Sequence, residues 1–310
     1  MKIIAILFAF LFSALVSAQP LNQFIVFGDS LSDNGNLYEY LKHQLPTSPP
    51  YFKGRFSNGP VWIELLAKSY YPTTGKDHLL DYAFGGAGVM EGDDSDDGFF
   101  TLTRELDSYF LTNDDKASPN SMYVVWIGAN NYLAVPDDVE KSLKDVMLGI
   151  EHSLVRLADA GAKHILVVDL PDLGLTPAAR DFDAVDVLTY LSLEHNARLE
   201  QKVNELRNRY PNVEWYFFDV NESFSDMIYS PEKYGFTNVL GTCYEEAVDG
   251  LKSHHSILKM VSTVKPKAHL SGDACQGYLF FDPVHPSGAA HQYMADKTRQ
   301  LLDKHGVVFD

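Results

Sequence analysis

The chain has 310 residues, of which 42 are acidic and 25 are basic, so its formal net charge at pH 7 is −17. A surface with this charge repels phosphate backbones, and the sequence therefore argues against nucleic acid as a partner. The same charge argues against electrostatic docking on anionic lipid, so any membrane contact has to be apolar or involve neutral headgroups.

The first 18 residues have the pattern of a secretory signal peptide. Lys2 supplies the positive start, residues 3–16 form an apolar core too short to span a membrane comfortably, and the Val-Ser-Ala triplet ending at Ala18 matches the cleavage pattern. We therefore expect an exported protein with a mature chain of one domain over residues 19–310, since no linker or internal repeat divides it. No lipoprotein anchor is expected, because no cysteine lies near the cut, and no later apolar run approaches the length of a membrane span.

The first predicted strand leads directly to a serine. Residues 24–27 (Phe-Ile-Val-Phe) form an unbroken apolar run that Gly28 ends, which predicts a strand buried on both faces. Ser30 follows at the carboxyl end of that strand, where ligands bind in open α/β sheets and where helix-start amides favour a nucleophile. The alternative is a plain turn in which Ser32 or Asp33 caps the next helix, and this stretch alone does not decide between the two.

The remaining chain alternates between predicted strands and amphipathic helices. The predicted strands cover residues 79–84, 122–127, 164–169, 213–219 and 278–281. The predicted helices cover residues 37–44, 138–160 and 185–210, a helix from Pro60 towards Tyr70, and a last helix from about residue 286 to about residue 302. This alternation predicts an α/β fold in which helices cover both faces of a central parallel sheet.

A second predicted strand end carries the segment 282–285 (Asp-Pro-Val-His). The hydroxyl of Ser30 must lose a proton in order to attack an acyl carbon, and His285 can take that proton and later return it. Asp282 can hold the imidazole in the required tautomer and stabilise the imidazolium. We therefore predict that Ser30, Asp282 and His285 are the catalytic residues of an acyl-transfer site.

Acyl transfer also needs fixed hydrogen-bond donors for the tetrahedral oxyanion. The candidates are the backbone N–H groups of Ser30 and Gly86 and the side-chain amide of Asn130, all at predicted strand ends. The glycine run after the second strand can be a plain turn, or it can let a backbone N–H approach a substrate oxygen. Gly85 is adjacent to Gly86 and is the alternative in this run, but Gly86 is preferred.

The two cysteines, Cys243 and Cys275, are expected to form a disulfide in an exported protein. They lack the neighbouring ligand pair of a zinc site. The acidic run at residues 93–97 matches the first half of an EF-hand loop, but its last ligand position falls on Arg104, where calcium requires a carboxylate. A solvated surface loop is therefore favoured for this run, and we expect neither a metal nor an organic cofactor.

With these segments in this order, the sequence resembles the GDSL family of the SGNH hydrolases, whose four sequence blocks carry Ser, Gly, Asn and His. Ser30 matches the first block, Gly86 the second and Asn130 the third, while Asp282 and His285 match the fourth. The resemblance covers nearly the whole mature chain and implies a three-layer, flavodoxin-like fold. The Gly-x-Ser-x-Gly elbow of ordinary α/β-hydrolases is absent from the sequence, in agreement with that layout.

Four segments look like one branch of this family, the secreted bacterial lysophospholipases A and glycerophospholipid:cholesterol acyltransferases. These segments are residues 24–36, 55–62, 170–177 and 281–288. One departure is visible, because Asn131 stands where the third block usually has an aspartate. That aspartate is not a catalytic group in the family, so the departure concerns only local support.

The resemblance implies a secreted serine esterase that removes acyl chains from lysophospholipids or other lipid esters through an acyl-enzyme at Ser30. Water or an alcohol such as cholesterol is the acyl acceptor, and transient contact with a membrane surface is implied. Members of the acyltransferase branch have a comparable disulfide loop that proteases cut, which implies an activating protease at the 243–275 loop; a plain structural staple is the alternative. A short-chain or carbohydrate esterase, and a lytic membrane-binding protein with a vestigial site, also stay open.

Overall fold

The computed structural model describes residues 20–89, 100–244 and 275–310. The predicted signal peptide, the acidic run at residues 93–97 and most of the 243–275 loop lie outside these ranges. Within them, no helix is both long enough and apolar enough to cross a membrane.

The strands of the described residues form two parallel sheets. Their bounds are β1 (Gln23–Gly28), β2 (Leu79–Asp81), β3 (Ser121–Trp126), β4 (His164–Val168), β5 (Glu214–Phe218), β6 (Asn238–Thr242) and β7 (Tyr278–Phe280). The central sheet has the order β2-β1-β3-β4-β5, and β6 pairs with β7 in a separate sheet. The order of the central sheet is the flavodoxin-like order of doubly wound folds, so the predicted fold class is confirmed.

Helices cover both faces of the central sheet. Their bounds are α1 (Asn36–Tyr40), α2 (Trp62–Tyr70), α3 (Leu102–Thr112), α4 (Val139–Asp159), α5 (Pro177–Asp181), α6 (Val185–Arg209), α7 (Val220–Tyr229) and α8 (Gly288–Lys304). One layer contains α2 packed against α8, and the other contains α3, α4 and α6 side by side.

The central strand β1 explains why the sheet needs both layers. Residues 24–27 are at most 1% exposed. Phe24 packs against Tyr70 of α2, whereas Phe27 packs against Tyr109 of α3. Because successive side chains of a strand point to opposite faces, an unbroken apolar run is stable only when both faces are covered.

The sequence pattern misses several elements, among them α3, α7 and β6. In α3 the buried residues Leu102, Leu106 and Tyr109 have helical spacing, but the adjacent acidic run obscures the start of that helix. The predicted strand at residues 278–281 exists as β7, but it pairs with β6 rather than with the central sheet. Asp282 and His285 therefore approach Ser30 from a second sheet.

The predicted disulfide is present. Cys243 and Cys275 are bonded, with their Cα atoms 5.1 Å apart and a separation of 32 positions in sequence. The amide of Cys243 donates a hydrogen bond to the carbonyl of Phe280 in β7. The bridge therefore anchors the strand that leads to Asp282.

Removing the bridge should destabilise the protein. In the chain-entropy model, a closed loop of this length contributes about 3–4 kcal/mol. We expect the double variant Cys243→Ser/Cys275→Ser to lose about that amount of unfolding free energy in urea denaturation. Dithiothreitol should destabilise the wild type similarly and leave the variant unchanged; equal stability of wild type and variant would contradict the prediction.

Candidate active site

Ser30 lies in a tight turn at the carboxyl end of β1. The amide of Leu31 donates to Oδ1 of Asp29 at 3.0 Å, and the two amides after Leu31 donate to the carbonyl of Asp29. A Cβ atom on Gly28 would lie 2.5 Å from the carbonyl oxygen of Trp126, so only glycine fits between β1 and β3 here. The chain can therefore turn sharply at the edge of the sheet and present Ser30 there.

The structure brings Ser30, His285 and Asp282 into one hydrogen-bonded row. Nε2 of His285 lies 2.8 Å from Oγ of Ser30, and Nδ1 of His285 lies 2.6 Å from Oδ2 of Asp282. All three residues are buried, at 4% exposure or less. With the Nδ1 proton donated to the carboxylate, Nε2 can accept the hydroxyl proton of Ser30.

Asp282 is held by further donors. Its Oδ2 accepts a hydrogen bond from the hydroxyl of Tyr51 at 2.7 Å, and its Oδ1 accepts from the amides of Val284 and His285 at 2.9 and 2.7 Å. Burial acts to raise the pKa of Asp282, but the attraction of His285 and the hydrogen bonds outweigh it and hold the pKa below its ordinary value. Asp282 is therefore a carboxylate at neutral pH.

Tyr51 was not predicted from the sequence. It lies in the connection between α1 and α2, 231 positions from Asp282. No periodicity or local spacing relates two residues so far apart. The closest available signal was the branch resemblance at residues 55–62, which begins four positions later.

Two of the three candidate oxyanion residues, Gly86 and Asn130, lie in the loops after β2 and β3. Gly86 has a φ of 82°, in the left-handed region that favours glycine. The amide of the neighbouring Gly85 donates to Oδ2 of Asp33 at 2.7 Å. Because Gly85 is engaged in this way, its amide is not available to a substrate, which favours Gly86 as the donor. Asn130 lines the same pocket as Ser30.

Residues that follow β1 and β3 hold the loop after β2 in place. Asp33, after β1, accepts from Gly85. After β3, the side-chain amide of Asn130 donates to the carbonyl of Ala87 at 2.8 Å, and Oδ1 of Asn131 accepts from the amide of Val89 at 3.0 Å. Asn131 therefore gives local support through an oxygen, a bond that an aspartate could accept equally well.

An apolar pocket lies beside Ser30 and His285. Its apolar lining comes from the turn after Ser30, the segments following β3 and β4, α7, β7 and the segment after β7. These residues are Leu31, Leu133, Leu173, Leu175, Phe224, Ile228, Phe280 and Val284. Such a lining is suited to a hydrocarbon chain held next to the reacting serine.

The described residues around this pocket include no metal-binding cluster. Among the residues that the structure describes, no group of three or more His, Cys, Asp or Glu side chains could hold a metal ion.

Two aspartates meet at the start of α7, the helix that forms one wall of the pocket. Asp169 accepts hydrogen bonds from the amides of Val220 and Asn221 at 2.6 and 3.2 Å, and Asp219 caps α7 by accepting from the amide of Glu222. Burial and the charge of Asp219 raise the pKa of Asp169 to about 8. Asp169 is therefore largely protonated at neutral pH.

Other buried groups titrate at lower pH. Burial raises the pKa of Asp29 and Asp33 to about 6 and lowers the pKa of His195 and His291 to about 3. Raised carboxyl pKa values favour the folded state at low pH, whereas lowered histidine pKa values favour it at higher pH. An ordinary histidine is half protonated at about pH 6.5. Below that pH, the carboxyl and histidine effects on the unfolding free energy act together and oppose each other.

Above about pH 6.5, the unfolding free energy should fall by about 1–2 kcal/mol up to pH 8, because folded Asp169 keeps a proton that the unfolded chain loses. Asp81 and Glu105, whose pKa values burial raises well above the ordinary range, act in the same direction. We expect Asp169→Asn to reduce this decline in urea denaturation, and the exposed control Asp186→Asn to retain it. A stability that is flat across this range, or an unchanged slope in Asp169→Asn, would be inconsistent with a protonated Asp169.

The chain is similar to known proteins over most of its length. It is 29% identical to a phosphatidylcholine-sterol acyltransferase of Aeromonas hydrophila, over 93% of this chain and 92% of that protein. It is 27% identical to the secreted effector protein SseJ of Salmonella typhimurium, over 94% of this chain and 66% of that protein. It is 25% identical to the thermolabile hemolysin of Vibrio parahaemolyticus, over 92% of this chain and 64% of that protein. The chain thus spans slightly less than two thirds of the length of the last two relatives.

A match to a protein-family model identifies the family of this chain. The model of the GDSL-like lipase/acylhydrolase family matches residues 24–298, from β1 into α8. The resemblance noted in the sequence is therefore confirmed at the level of the family. The chain belongs to the GDSL-like lipase/acylhydrolase family and is an enzyme of the esterase and acyltransferase type.

Proposed function

We propose that this protein is a secreted lysophospholipase A that forms an acyl-enzyme at Ser30. The observation that carries the proposal is the hydrogen-bonded row of Ser30, His285 and Asp282 beside an apolar pocket. A buried nucleophile, base and orienting carboxylate in one row fit acyl transfer. The apolar lining of the pocket beside them suits the hydrocarbon part of an ester substrate.

In the first half-reaction, Oγ of Ser30 attacks the ester carbon while its proton passes to Nε2 of His285. The oxyanion that forms accepts hydrogen bonds from the backbone N–H groups of Ser30 and Gly86 and from the side chain of Asn130. His285 then protonates the departing alcohol, and the acyl group stays on Ser30. Throughout this step the carboxylate of Asp282 stabilises the imidazolium.

In the second half-reaction, His285 removes a proton from the acceptor, whose oxygen attacks the acyl carbon. The bond between the acyl carbon and Oγ of Ser30 then breaks, and Nε2 of His285 returns the proton to Oγ. Water as the acceptor gives hydrolysis, and an alcohol such as cholesterol gives acyl transfer. The Aeromonas relative is named for phosphatidylcholine and a sterol, which supports a lipid as the acyl donor of this protein and makes a sterol acceptor worth testing.

Secretion is supported by two features. Residues 1–18 have the pattern of a signal peptide. The disulfide between Cys243 and Cys275 suits an oxidising compartment. We propose that the exported enzyme contacts membranes transiently through apolar groups or neutral headgroups, since its net charge is strongly negative.

Ser30→Ala should abolish the hydrolysis of palmitoyl lysophosphatidylcholine, because the acyl-enzyme can no longer form. Products should be analysed with and without cholesterol for the wild type, for Ser30→Ala and for the control Ser108→Ala, whose hydroxyl lies on the exposed face of α3. For the wild type, kcat/KM should increase from butyryl through hexanoyl to long-chain esters.

Two results would contradict this function in different ways. Without a gain in kcat/KM beyond the hexanoyl ester, the lipid substrate would be wrong and a short-chain or carbohydrate esterase would be favoured. If Ser30→Ala lysed membranes as well as the wild type, the protein would act as a lytic binder rather than as an enzyme.

Asn130→Ala should lower kcat by about 100- to 1,000-fold and leave KM nearly unchanged. The reason is that the amide bonds an oxyanion which exists only near the transition state. Steady-state kinetics on a soluble butyryl ester would measure both constants, with the exposed Asn208→Ala as control. A variant that only binds substrate more weakly would remove Asn130 from the oxyanion hole.

A further inference from the structure

We infer that the hydroxyl of Tyr51 is a positioning group for His285, and that it sets the lower limit of the pH range in which His285 acts as a base. The inference rests on the proposed serine esterase function and adds a residue that acts through Asp282.

Tyr51 and His285 share one carboxylate oxygen of Asp282. Oδ2 of Asp282 accepts from the hydroxyl of Tyr51 at 2.7 Å and lies 2.6 Å from Nδ1 of His285. Oδ1 accepts from the amides of Val284 and His285. A carboxylate offers about four lone-pair positions, so these four donors saturate Asp282 and fix its orientation.

The ring of Tyr51 is held by packing contacts that do not involve its hydroxyl. Tyr51 is 1% exposed and packs edge-on against Phe56 and Phe281, with centroid distances of 6.1 and 5.0 Å. The ring of Phe56 lies 5.1 Å from the ring of His285. These aromatic residues belong to a small core that is separate from the main one and also contains Cys243. Removing only the hydroxyl should therefore leave the packing intact.

The hydroxyl of Tyr51 also affects the charge interaction between Asp282 and His285. The hydrogen bond from Tyr51 stabilises the negative charge of Asp282 even when His285 is neutral, and it contributes to the lowered pKa of Asp282. Without this donor, hydrogen bonds stabilise the negative charge of Asp282 less. The carboxylate then attracts the imidazolium of His285 more strongly. His285 would then keep its extra proton to higher pH, and the neutral base would become available later in a titration.

Other groups face His285 and have to be considered. Ser30 lies at Nε2 and Asp282 at Nδ1, while Asp29 and His291 interact with the imidazole through their charges. Burial lowers the pKa of His291 to about 3, so His291 is neutral over the relevant range. Asp29 has a pKa of about 6 and does titrate there, but its effect is common to the wild type and to a Tyr51 variant.

The experiment compares kcat/KM against pH for three full-length proteins on a soluble p-nitrophenyl butyrate. These are the wild type, Tyr51→Phe and the control Tyr109→Phe, which removes a buried hydroxyl that bonds Tyr123 instead. For Tyr51→Phe we expect the acid limb to move up by about 0.5–1 pH unit, with a several-fold lower plateau kcat and an unchanged KM. The control should keep the wild-type limb.

A second variant should shift the acid limb to lower pH, and this test does not depend on the stability of Tyr51→Phe. Replacing Tyr51 by 3-fluorotyrosine retains the ring and hydroxyl but makes the phenol a stronger donor, so the acid limb should move to lower pH. If the limb stays at the wild-type position in both variants, the inference is wrong, even when kcat falls. If the wild type has no esterase activity that Ser30→Ala abolishes, the proposed function itself has failed.

Discussion

The site depends on the parallel pairing of β1 between β2 and β3. The carboxyl ends of parallel strands lie at one edge of the sheet, so the order β2-β1-β3 places the Ser30 turn between the loops that carry Gly86 and Asn130. The close contact between Gly28 and Trp126 fixes the point where β1 turns away from β3. Three of the proposed site residues thus gain their positions from one feature of the fold, the buried central strand.

The other proposed groups, Asp282 and His285, come from outside that sheet and have to be docked onto it. The hydroxyl of Ser57 donates to the carbonyl of Pro286, and the side-chain oxygen of Asn58 accepts from the amide of Gly288. The connection before α2 therefore holds the segment that carries His285. The same connection contributes Tyr51, so one stretch of chain both docks the segment that carries the base and donates a hydrogen bond to its carboxylate.

Sequence patterns predict the part of the site that lies at strand ends. The apolar run before Gly28 marks the end of β1, and the run at residues 122–127 marks the end of the strand before Asn130, whereas β2 already ends at Asp81, before the predicted residue 84. The role of Tyr51 and the engagement of Gly85 by Asp33 could not be predicted, because they depend on contacts between distant positions that share no periodicity. The strand β6 was missed for a different reason, because none of its residues is fully buried and its sequence has no unbroken apolar run.

The most direct test of the account is the detection of the acyl-enzyme. Full-length protein would be mixed with palmitoyl lysophosphatidylcholine, quenched in acid during turnover, digested and analysed by mass spectrometry. The account predicts a palmitoyl adduct on the peptide that contains Ser30, with no adduct in Ser30→Ala. Turnover without any adduct on that peptide, or an adduct on a different residue in the active wild type, would contradict it.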